Sequence, residues 1–182
     1  MPAAFVLQLL FFVSEMVRVP ADPGLYFVTA KGLASIEGHA VTVEHSASRL
    51  PPLPMKGALP MGGGTVKAEL LGEHADEQVP STPVFYYRLA GDNEGGGPAD
   101  LVLVKLKSKR GRRDFELSSN SKSEWKASSG ISLKSQVRFI EKRVESGVYR
   151  LVPADDLDPG EYGFYQYRGR ELPGLLYDFS VE

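Results

Sequence analysis

Leu157-Asp158-Pro159-Gly160-Glu161-Tyr162-Gly163-Phe164 is the stretch that most restricts what this chain can fold into. Pro159 fixes φ and Gly160 admits a left-handed backbone, so the chain reverses here after the strand-forming run Val148-Tyr149-Arg150-Leu151-Val152. A tyrosine just after such a turn buries its ring and returns its hydroxyl to an upstream backbone group, as in the tyrosine corner of Greek-key sandwiches. The device belongs to folding, not to catalysis.

Similar punctuation recurs along the chain, which holds 19 glycines and 13 prolines in 182 residues. Between the turns lie short runs rich in Val, Tyr and Phe, and the pattern predicts strands near 25–30, 36–45, 65–72, 84–89, 101–107, 113–117, 137–140, 148–152, 161–167 and 176–181. The first two read as a hairpin. Leu101-Val102-Leu103-Val104 is apolar on both faces before the strand turns amphipathic, so it starts in the middle of the core and emerges into water. Arg110-Gly111 turns the chain into a second hairpin, with Phe115 and Leu117 facing inward. Residues 49–64, with four prolines and four glycines, are a loop or covering arm. The expectation is an all-β chain: one antiparallel β-sandwich of Greek-key, immunoglobulin-like or jelly-roll type over residues 22–182, with no repeat and no second domain.

Residues 1–21 have the form of a signal peptide. The apolar run from Ala3 to Val13 has the length of a leader core, too short to span a bilayer, and Val19-Pro20-Ala21 supplies small residues where a peptidase reads. No basic residue precedes the run, which departs from the usual leader. The expected location is periplasmic or secreted, with no transmembrane helix in the mature chain, or cytoplasmic if the leader is not one. A net charge of −2 gives no global attraction for nucleic acid or an acidic membrane. With no cysteine there is no disulfide, thiolate nucleophile or cysteine-bound zinc.

Gly24-Leu25-Tyr26, Arg113-Asp114-Phe115-Glu116, Val137-Arg138-Phe139, Tyr149-Arg150-Leu151-Val152, the stretch from Leu157 to Phe164 and Tyr177-Asp178-Phe179-Ser180-Val181 together resemble a group of uncharacterised exported β-rich bacterial proteins. The resemblance covers nearly everything after the leader. It implies export and a β-sandwich, and carries over no activity or site residue.

The chemistry-bearing residues are few. His39 and His45, read as sharing one strand face, lie about 20 Å apart in an extended strand, too far to share a metal. The acids Asp155, Asp156, Asp158 and Glu161 lack the alternating spacing of a calcium loop. No serine sits in a Gly-x-Ser-x-Gly elbow, and neither glycine triplet is followed by the Lys-Ser/Thr pair of a phosphate loop. No catalytic residue, metal or cofactor is therefore assigned. Two features remain as candidate ligand sites. Lys105, Lys107, Lys109, Arg110, Arg112 and Arg113 make a basic hairpin tip suited to anions, without the interleaved aromatics that single-stranded nucleic acid needs. Tyr165 and Tyr167 face away from Tyr162 and Phe164 and offer rings for stacking on sugars. The expected role is a non-catalytic binding or structural module of the bacterial envelope, its partner a protein or glycan. A sugar-binding module and a small hydrolase are the alternatives. A histidine meeting a serine or carboxylate in a pocket would favour the hydrolase.

Overall fold

The computed structural model describes residues 17–46, 65–90, 98, 100–119, 131–167 and 174–182, and among them the chain forms β-strands and no helix. The leader core, the 49–64 stretch, the chain's single tryptophan Trp125 and the glycine triplets at 62–64 and 95–97 lie outside the described residues.

One sheet has five strands, in the order β11 (Phe139–Glu145), β12 (Val148–Pro153), β7 (Phe85–Arg88), β1 (Gly24–Thr29), β2 (Gly32–Ile36). The larger sheet runs β3 (Gly38–Ala40), β14 (Leu175–Val181), β13 (Gly160–Gln166), β8 (Leu101–Lys109), β9 (Arg112–Ser119), β5 (Thr65–Leu71), β4 (Thr42–Ser46). Two short strands flank it: β10 (Gln136–Val137) beside β8, and β6 (Gln78–Val79) parallel to β14. Every other pairing is antiparallel. Only Val41 separates β3 from β4, so the two ends of the larger sheet meet there and the sheet is a nearly closed barrel.

Three apolar clusters result among the described residues, and β8 belongs to the two larger ones. Leu101 and Leu103 enter a cluster between the sheets, with Leu25 and Phe27 of β1, Phe85 of β7, Leu151 of β12, Phe164 of β13 and Phe179 of β14. Phe85 meets Phe164 edge-on at 5.1 Å and Phe179 at 4.9 Å. Val104 and Leu106 enter a second cluster inside the barrel, with Ala68, Phe115, Tyr165 and Leu176. This is the strand predicted to be apolar on both faces, and each buried aliphatic chain contributes roughly 1.5–3 kcal/mol. Gly163 also faces the barrel interior; a Cβ there would stand 2.7 Å from Leu176 Cδ1, so the position holds no side chain.

The predicted corner is present, and it occurs twice. Tyr162 is buried and its hydroxyl donates to the carbonyl of Asp158 at 2.9 Å; Tyr26 donates to the carbonyl of Asp22 at 2.8 Å. Both tyrosines follow Asp-Pro-Gly, with Gly160 and Gly24 at φ +148° and +151°. One corner opens a strand of each sheet. The predicted hairpin of 25–30 with 36–45 is corrected: β1 pairs instead with β2, and the chain then crosses at Glu37 into the larger sheet, where His39 lies on β3 and His45 on β4.

Candidate functional site at the barrel mouth

Strand alternation carries polar residues into one end of the barrel. On β9, Phe115 points inward, and so does Arg113 two residues earlier. On β13 the inward set is Glu161, Gly163 and Tyr165; on β14 it includes Leu176 and Asp178. The apolar plug therefore gives way, at the end where these strands meet β3 and the segment after β5, to a layer of charge. Arg113, Glu161 and Asp178 are each 6% exposed or less.

Arg113 Nη1 donates to Asp178 Oδ2 at 2.5 Å and to Glu161 Oε2 at 3.3 Å. Its Nε donates to the carbonyl of Gly72 at 3.2 Å and Nη2 to that of Leu71 at 3.5 Å, so each of its nitrogens has an acceptor within the fold. Charges this deep persist only when paired and hydrogen-bonded. The backbone N–H of Ala75 adds a bond to Glu161 at 2.9 Å. Two histidines complete the layer from the solvent side. His39 Nδ1 lies 2.8 Å from Asp178 Oδ1, and His74 Nδ1 lies 3.1 Å from Glu161 Oε1. Facing a carboxylate oxygen, each Nδ1 carries the ring proton, which leaves Nε2 for another partner.

Above the layer opens a cleft of about 420 Å³, walled by His39, Thr42, Glu69, Leu71, His74 and Asp178, among others. A smaller cleft of about 180 Å³, with Ser35, Glu37 and Glu77, adjoins it and shares His39 in its wall. Both contain Asp178 and Asp76.

Family models, curated proteins and solved structures yield no match to this chain.

The structure separates the residues that the sequence grouped. Arg113 is corrected from hairpin tip to barrel interior, because it shares the inward face of Phe115. Arg112, beside it, points outward and pairs with Glu69 at 2.9 Å and Glu44 at 3.8 Å. Lys109 bonds Asp114, and this hydrogen bond is the main reason its ammonium is held above the ordinary lysine pKa. Lys105 lies 3.8 Å from Asp158 and 5.3 Å from the centre of the Tyr162 ring. Lys107 and Arg110 are exposed. The basic tip is thus interleaved with acids: Asp114 on the hairpin itself, Glu44 and Glu69 on neighbouring strands, and Asp158 in the turn before β13.

Tyr165 is likewise corrected: it does face away from Tyr162, but that side is the barrel interior, where it is 4% exposed and meets Phe115 edge-on at 5.3 Å. Tyr167, past the end of β13, is exposed. Of the loop acids, Asp155 pairs with Arg138 while Glu161 turns inward. Among the described residues no three His, Asp or Glu side chains gather to hold a metal ion. The residues that sequence reading missed are Asp178, Glu161, His39 and His74 as members of one cluster.

Proposed function

We propose that this chain is a binding module of the bacterial cell envelope, brought there by its N-terminal leader and built as a β-sandwich, and that the barrel mouth is the seat of its ligand, a protein or glycan. The observation that carries this reading is the cleft itself, a concave opening lined by both polar and apolar groups over a buried, paired charge layer. Mouths of β-barrels are favoured ligand sites, because the strands hold converging side chains in fixed positions. The framework role of Arg113 fits a non-catalytic module, since its donors are engaged within the fold. Co-sedimentation with isolated bacterial envelopes tests it. The double variant His39→Ala/His74→Ala should lose most binding, and Ile140→Ser, on an exposed strand of the other sheet, should keep it. Equal binding by all three proteins would refute the mouth as the seat.

One observation favours a hydrolase as the second reading. His39, held through Nδ1 by buried Asp178 in a cleft, has the arrangement of a general base whose free nitrogen meets water or substrate. Ester hydrolysis abolished by His39→Gln would support it; a turnover that is absent, or indifferent to that change, would not. A sugar platform of outward tyrosines loses Tyr165 to the core, so glycan recognition would fall to the polar groups of the mouth.

A further inference from the structure

The sequence places a peptidase-type motif at Val19-Pro20-Ala21, yet Val19 and Pro20 are built into the fold. Val19 is 8% exposed and packs with Tyr26 of β1 and Val148 of β12, the latter with no exposed surface. Arg88 of β7 grips the same segment by its backbone: Nε donates to the carbonyl of Pro20 at 2.6 Å and Nη2 to that of Val19 at 3.3 Å. Nη2 also reaches Glu145 at 2.6 Å, so one guanidinium ties the segment to the end of β11. The next residue is Asp22, whose carbonyl accepts the corner hydrogen bond of Tyr26.

We propose that Val19–Ala21 is a structural strap of the folded module and that any removable leader ends upstream of Val19. A cut after Ala21 would take away both carbonyls that Arg88 binds and the side chain that covers Val148 and Tyr26. It would also place a new α-ammonium group on Asp22, near the guanidinium that had been satisfied by Pro20, adding like-charge repulsion to the lost bonds. Buried apolar surface and a charged donor would be uncovered together.

The test compares chains beginning at Val17 and at Asp22, and sequences the N-terminus of the protein recovered from cell fractions. The chain from Asp22 should melt several degrees lower, since a loss of roughly 1 kcal/mol moves Tm by about 2–4 °C at this size. If that chain does not fold, Val19→Asp in the full chain provides the same comparison. The recovered protein should begin at or before Val19. A mature end at Asp22, or equal melting of the two chains, overturns the strap. An uncut Met1 in the cytoplasm leaves the strap standing while removing the export reading, so the two ideas fail separately.

Discussion

Arg113 and Asp178, 65 residues apart in the chain, meet at 2.5 Å inside the barrel, and Glu161 joins them on the same guanidinium nitrogen. Three strands, β9, β13 and β14, are thereby tied at one end by charge, where the other end is tied by Phe115, Tyr165 and Leu176.

Arg113→Met leaves two carboxylates buried without their cation. Breaking a buried pair in this way costs about 3–5 kcal/mol, and chemical denaturation should register a loss of that size. Replacing all three by apolar residues, Arg113→Met/Glu161→Leu/Asp178→Leu, should recover much of it, because the burden lies in the unpaired charge. A single variant as stable as the wild type would show that the layer is open to water.

The paired corners offer an additive test. Tyr162→Phe and Tyr26→Phe each remove a hydroxyl donating to a carbonyl four residues upstream, and each should cost about 1–3 kcal/mol by denaturant titration. The corners open strands of different sheets and share no partner, so the double variant should equal the sum within about 0.5 kcal/mol.

Gly174 abuts the ring of Tyr165, and a Cβ there would run into ring carbons and the hydroxyl. Gly174→Ala should therefore destabilise by about 1–3 kcal/mol through overpacking. Combining it with Tyr165→Leu should cost less than the separate losses, and thermal melts of the four proteins would measure the coupling.

Burial is the main reason the Tyr165 hydroxyl is pushed above the ordinary tyrosine pKa of 10.0. Because the folded value is raised, the associated stability is fully present below the unfolded value and is lost as pH rises through the folded one. Stability should fall above about pH 10, and Tyr165→Phe should flatten that fall. An identical alkaline slope in the variant would contradict the burial.

Some of this was legible in the residues. Leu101-Val102-Leu103-Val104 announces a strand with core on both sides, and it serves both clusters. The Asp-Pro-Gly turn and Tyr162 announce the corner, because all its participants lie within five residues. Arg113 was misread because charge beside a turn suggests solvent, although its alternation with inward Phe115 and Leu117 already pointed the other way. Its partners were hidden for a different reason. Glu161 and Asp178 lie 48 and 65 residues away, and only the strand order β14-β13-β8-β9 brings them to it. Tyr165 shows the same limit, since alternation gives the face but not what covers that face.

The ligand seat is tested most directly by following the imidazole nitrogens of His39 and His74 in long-range proton–nitrogen correlation spectra while soluble glycan and peptide fragments of bacterial envelopes are added. If the barrel mouth holds the ligand, the Nε2 signals of both rings shift saturably with one affinity, and signals of the exposed strand around Ile140 stay in place. Saturable shifts confined to residues such as Tyr167 or Lys107, with both imidazoles unmoved, would place the ligand elsewhere and contradict the assignment.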